Sequence, residues 1–177
     1  MNRKLKNEEL NRVNIAEFKH LDKTPLIIVL DNIRSLNNIG SIFRTADAFK
    51  IEKIILAGIT ATPPHREIQK TALGATESVE WEYEKDIIIA LKRLKEQHIK
   101  LISIEQAENS IPLNEFKPEE TIKYAIILGN EITGVDQKVI DVSDYVVEIP
   151  QFGTKHSLNI SVAGGIVIWD LFQKLTQ

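Results

Sequence analysis

A chain of 177 residues, 43% hydrophobic and 27% charged, is large enough for one globular domain with a sizeable core. It has no cysteine, which excludes disulfides, thiolate nucleophiles and cysteine-held metals and fits a reducing compartment. A net charge of −3 and a pI of about 5.9 argue against a general nucleic-acid binder, although residues 1–24 hold more Lys and Arg than Asp and Glu and leave room for a local basic face.

The opening MNRKLKNEELNRVNIAEFKH has no apolar centre and does not read as a signal peptide. No apolar run approaches the ~18 residues of a membrane span, so a cytoplasmic location is expected. Asn7 and the acids after it read as the capped start of a helix. LIIVLD, after Pro25, is a continuous apolar run of strand length, as in a strand covered on both faces. A helix is expected over 39–49, a strand over 53–58, and a short helix around Ile68–Leu73 after the loop ITATPPHRE. SVEWEY (78–83) alternates like a strand; 86–97 reads as a helix and 100–105 as a strand. AIILG (125–129), VDQKVI (135–140) and YVVEIP (145–150) give strand, helix and strand, and a last helix is expected from Ser157 to Leu175. Strands alternating with helices predict an α/β domain with a mostly parallel sheet and helices on both faces.

Ligands of such sheets bind beyond the carboxyl ends of the strands. The unusual residues collect there: 31–38 after the first strand, Gly129 to Gly134 after AIILG, and Gln151 to Lys155 after YVVEIP. In NNIGSIFRTADAF (37–49), Asn38 and Arg44 are expected to flank one pocket, because helical side chains lean toward the N-terminus and the guanidinium fork suits a phosphate. In ILGNEITGVDQ (127–137), the glycines fit a tight backbone turn, with Glu131 available to a positive group or a hydroxyl. Gly-Lys-Ser/Thr does not follow Gly134 and GxGxxG is absent, so neither a P-loop nor a Rossmann fingerprint is present. In QFGTKHSLNIS (151–161), Ser157 reads as the cap of a helix apolar nearly all round. Gly164 and Gly165 inside that helix cost about 1 kcal/mol each relative to alanine, which fits close approach of another backbone and predicts a homodimer. No His/Asp/Glu cluster has metal-ligand spacing, so no metal is expected.

Together these segments resemble, in order and spacing, the three signature motifs of the SpoU/TrmH family of the SPOUT class of RNA methyltransferases. NIGSIFRTA (38–46) resembles motif 1, ILGNEITGV (127–135) motif 2, and Ile149-Pro150 with SLNISVA (157–163) motif 3. The resemblance spans about residues 25–175. It implies a single methyltransferase domain over 1–177, with 1–24 as an N-terminal helical extension and a C-terminal deep trefoil knot, an exception to the general absence of knots. It implies S-adenosylmethionine as cofactor, methylation of a ribose 2′-hydroxyl in tRNA or rRNA, and a homodimer packed through helices that include the last.

By position, Gly129, Asn130, Ile149 and Leu158 match cofactor-binding residues, with the Ser103–Glu105 strand end, Ile104 in particular, as a further wall. Arg44 matches the family's essential arginine, and Asn38, Glu131, Ser157 and Asn159 match the polar residues around it. RNA contacts are expected from Arg34, His65, Arg66 and Lys155. Two alternatives stand beside ribose methylation: a SPOUT guanine-base methyltransferase, and a non-catalytic RNA-binding or assembly factor.

Overall fold

The structure, a computed structural model, describes residues 2–176; Met1 and Gln177, the ends of the expected domain, lie outside the described residues. The chain folds around one sheet. Its strands are β1 (Thr24–Asp31), β2 (Ile51–Ala57), β3 (Glu80–Glu84), β4 (Lys100–Ile104), β5 (Ile111–Pro112), β6 (Tyr124–Leu128) and β7 (Tyr145–Glu148). Their order is β3-β2-β1-β6-β4-β7-β5, and every strand pairing is parallel. The helices are α1 (Ile15–His20), α2 (Leu36–Ala48), α3 (Arg66–Ala72), α4 (Ala75–Ser78), α5 (Ile87–Glu96), α6 (Gln137–Val142) and α7 (Ile160–Leu175).

β1 explains its own unbroken apolar sequence. Leu26, Ile28 and Leu30 pack with α2 and α7 in one core cluster. Ile27 and Val29 pack with α5 and α6 in the other. Successive side chains point to opposite faces, so only a doubly covered strand buries all five. Each such burial contributes about 1.5–3 kcal/mol.

Several boundaries differ from the expected ones, and local hydrogen bonds give the reason. The N-terminal segment is a 3-10 turn, Asn7–Leu10, stopped by a left-handed Asn11, and α1 begins only after Asn14 caps it through the Glu17 N–H. α2 starts three residues early because Ser35 Oγ accepts from Asn38 N at 3.3 Å; Asn38 is not the cap. α7 starts three residues late because its cap is Asn159, whose Oδ1 accepts from Ser161 N at 2.9 Å; Ser157 does not cap it.

Gly164 and Gly165 do not meet a backbone. A Cβ on Gly164 would lie 2.5 Å from Ile42 Cδ1, so this glycine lets α2 pack on α7 through a side chain. A Cβ on Gly165 would meet nothing within 4 Å. Nor is α7 buried all round: Val162, Ile166 and Trp169 leave an apolar stripe exposed.

Candidate active site

The turn after β6 is tied back on itself. Asn130 N donates to Gly134 O at 3.1 Å and Gly134 N to Asn130 O at 2.9 Å. Gly134 sits at φ +68, where side chains are disfavoured. The returning chain passes so close that a Cβ on Gly129 would lie 2.3 Å from both the Gly134 carbonyl carbon and the Val135 nitrogen. Glu105, just past β4, fastens this turn by accepting from Val135 N at 2.9 Å. Asn130 fixes its other side, donating from Nδ2 to Asn32 O at 2.7 Å while its Oδ1 accepts from Ile132 N at 2.9 Å.

A cavity of about 740 Å³ opens between this turn, the end of β4 and the loop from β7 to α7. It lies within the roughly 300–1,000 Å³ of small-molecule sites. Ile104, Gly129, Asn130, Ile149 and Leu158 all line it, as do Glu131, Ser157 and Asn159. Gln106 also lines it, a residue outside the three motifs, and its Nε2 donates to His156 O at 2.6 Å, joining the β4 end to the β7–α7 loop.

Glu131 does not offer a free carboxylate. Its Oε2 accepts from Arg34 N at 3.0 Å, and its Oε1 accepts from Ser35 N at 2.9 Å and Asn38 Nδ2 at 3.3 Å. Burial pushes its carboxyl up, but the Arg34 and Ser35 N–H donors and the Asn38 amide outweigh that and hold it below the ordinary range. Glu131 is therefore a clamp between the β6 turn and the start of α2. The chain of contacts continues through Asn38, which is buried and accepts from Asn159 Nδ2 at 3.2 Å. One network thus connects residues far apart in sequence: Ser35 and Asn38, Glu131, Asn159 and Ser161.

Arg44 is not brought to the cavity. Helical spacing places it with Asn37, Ser41 and Ala48, whereas Asn38 and Ile42 turn toward Asn159 and α7. It is exposed and has no hydrogen bond or ion pair among the described residues. The shared pocket expected for Asn38 and Arg44 is therefore absent within this chain: six residues apart is too far round the helix. Arg34, His65, Arg66 and Lys155 are exposed and lie outside the cavity lining. His65 is engaged in structure, its Nδ1 accepting from Glu67 N at 3.2 Å to cap α3.

Among the described residues no group of three His, Cys, Asp or Glu is placed to hold a metal ion, and no helix is long and apolar enough to cross a membrane.

A wholly parallel sheet, with a glycine-turned cavity at its carboxyl edge bounded by two C-terminal loops, defines an α/β protein with a candidate small-molecule site. The sequence profile of the SpoU rRNA Methylase family matches residues 25–169, and the chain belongs to that family. It is 32% identical over 164 residues to the 23S rRNA (guanosine-2′-O-)-methyltransferase RlmB of Neisseria meningitidis, covering 89% of this chain and 62% of that protein. The chain thus spans less than two thirds of that relative's length. Its fold is similar to that of the A. aeolicus TrmH/SpoU tRNA modifying enzyme, with a TM-score of 0.80, 22% identity, and coverage of 90% and 80%. It is also similar to the SpoU methyltransferase AviRb of Streptomyces viridochromogenes in complex with AdoMet, with a TM-score of 0.78, 22% identity, and coverage of 89% and 63%.

Proposed function

We propose that this protein transfers a methyl group from S-adenosylmethionine to the 2′-hydroxyl of a ribose in tRNA or rRNA. The observation that carries the proposal is the cavity with Gly129 at its floor. The residues present fit this cofactor. The Gly129–Gly134 turn, closed on its own backbone and fastened by Glu105, forms one wall of the cavity. Ile104, Ile149 and Leu158 supply apolar surface for an adenine ring, and no lysine or arginine lines the cavity to oppose a sulfonium. The chemistry the cofactor supplies when bound is an electrophilic methyl group.

The chain's own residues then position the nucleophile. Asn38, Glu131 and Asn159 fix the start of α2 against the cavity mouth, and the Ser157 hydroxyl stands on its rim. Holding the ribose oxygen at contact distance supplies most of the gain, up to about 7–11 kcal/mol in well-oriented systems. Arg44 lies on the exposed face of α2, outside this chain's cavity, so its assignment to the 2′-oxygen and a neighbouring phosphate rests on its motif position and requires a second chain to bring its planar donor fork to the methyl group. Glu131 has both oxygens engaged and is not a ready base, so the hydroxyl proton passes to water or an RNA phosphate.

The unit is one methyltransferase domain in which residues 1–24 form an extension, with a C-terminal knot as family membership implies and a cytoplasmic location. It works as a homodimer, supported by the exposed stripe Val162, Ile166 and Trp169 on α7. Arg34, Arg66 and Lys155, all exposed cations, are the residues we assign to RNA contact. Arg44→Ala and Arg44→Lys test the assignment. Both should lower kcat by at least about tenfold at saturating RNA, because lysine keeps the charge and loses the fork, while S-adenosylmethionine affinity stays unchanged. Near-wild-type turnover in both would remove Arg44 from the chemistry.

A further inference from the structure

A second cavity, of about 520 Å³, opens at the carboxyl end of β1. It shares no lining residue with the first. Its walls include Asp31, Asn32, Gly58, Lys85, Ile89 and Lys138. It lies beyond the carboxyl ends of β1, β2 and β3, the edge at which parallel sheets hold ligands.

Asp31 is the unusual group. It continues the buried face of Ile27 and Val29 and is 2% exposed. Its Oδ1 accepts from Asn32 Nδ2 at 2.8 Å, and no other hydrogen bond reaches the carboxylate among the described residues. The nearby cation does not pair with it: Lys138 Nζ lies 3.9 Å from Asp136 Oδ2. Burial pushes the Asp31 carboxyl up to about 6, with Lys138 drawing it down and Asp136 pushing it up. A buried carboxylate held by one neutral hydrogen bond and no ion pair is costly, and the methyl-transfer reading gives it no task.

We propose that this cavity is a subsite for a guanine nucleotide of the substrate RNA, with Asp31 accepting from the base and Lys85 and Lys138 facing its phosphate. A carboxylate is acceptor-only and takes two parallel N–H bonds. Guanine alone among the four bases presents two adjacent donors, N1–H and the 2-amino group. Adenine and cytosine set one amino group beside an acceptor, and uracil sets one N–H between two carbonyls that would face the carboxylate unfavourably. Ile89, 54% exposed, adds an apolar wall for the ring. The two cavities are neighbours, separated by the Asn130–Asn32 hydrogen bond, as two positions along one RNA strand require. Identifying the guanine as part of an RNA rests on the proposed function; the binding itself does not.

The test is an amide-shift titration of the full chain with guanosine 5′-monophosphate, and in parallel with the adenosine, cytidine, uridine and inosine monophosphates. Guanosine monophosphate should move the amides of Asn32, Gly58, Asp86 and Lys138 and bind about tenfold more tightly than the uridine compound. The inosine compound, lacking the 2-amino group, should fall between them. Asp31→Asn, which still accepts from Asn32, should weaken guanosine monophosphate about tenfold, and Lys138→Ala should weaken it more than it weakens guanosine. Affinity should drop from pH 7.5 to pH 5 as the carboxyl protonates through about 6. The charged groups facing Asp31 are Glu84 and Lys85 after β3, Asp86 at the start of α5, and Asp136 and Lys138 of α6. Absent shifts at these amides, equal binding of all the nucleotides, or Asp31→Asn binding like wild type would overturn the subsite. S-adenosylmethionine added to the same sample should move Gly129 and Leu158. Its failure to do so would count against the methyltransferase reading and leave the nucleotide result standing.

Discussion

A methyl group at position 129 would collide with the backbone of Gly134 and Val135 at 2.3 Å, and neither atom can rotate away as a side chain would. Gly129→Ala must therefore push the β6 turn outward, at about 1–3 kcal/mol of strain. The expected outcome is a roughly ten- to hundredfold weaker dissociation constant for S-adenosylmethionine by calorimetry, with a lower Tm. An unchanged constant would remove the turn from the cofactor site. At this scale legibility was uneven. Gly129 announces itself as a glycine at a strand end, whereas Ile149 and Leu158 are assigned through the family resemblance and line the cavity. The use of Glu131 was not readable: its three donors come from Arg34, Ser35 and Asn38, more than 90 residues away in sequence. Asp31 stands among the unusual residues 31–38 after the first strand, but its burial was not legible, because it depends on α5 and α6 arriving much later in the chain.

Among the elements, α7 combines two faces that the sequence shows as one. Gly164, Val167, Ile168 and Leu171 are buried inside the chain, whereas Val162, Ile166 and Trp169 are 50%, 40% and 51% exposed, with open space at Gly165 between them. An all-round apolar helix reads as buried from sequence; the structure buries one side of it in the chain's own core and leaves the other exposed, the face assigned to the proposed dimer. A charge on that face leaves the first set of contacts intact. Ile166→Glu should convert a dimeric wild type to a monomer in light scattering while circular dichroism stays unchanged. A wild type that is already monomeric, or a variant that remains dimeric, contradicts an interface built on α7. Parallel-strand periodicity was legible for the long elements because burial on both faces writes unbroken apolar runs. The two-residue β5 and four-residue α4 carry no period to read.

For the whole molecule, the acidic balance of −3 and the proposed RNA substrate are reconciled by distribution. The cavity that would hold a cationic cofactor is lined by Glu105, Glu131 and Glu148, whereas Arg34, Arg44, Arg66 and Lys155 lie exposed outside it. In the proposed RNA complex, few phosphate contacts would give modest binding with a shallow salt dependence and leave more of the selection to positioning at the reactive ribose. The most direct measurement is nucleoside mass spectrometry after the purified protein and S-adenosylmethionine are incubated with unmodified total tRNA and, separately, rRNA. A new 2′-O-methylnucleoside in one pool is the predicted result. A methyl group found on a base instead, or no methyl gain and no S-adenosylmethionine binding in the same preparation, would contradict ribose methylation.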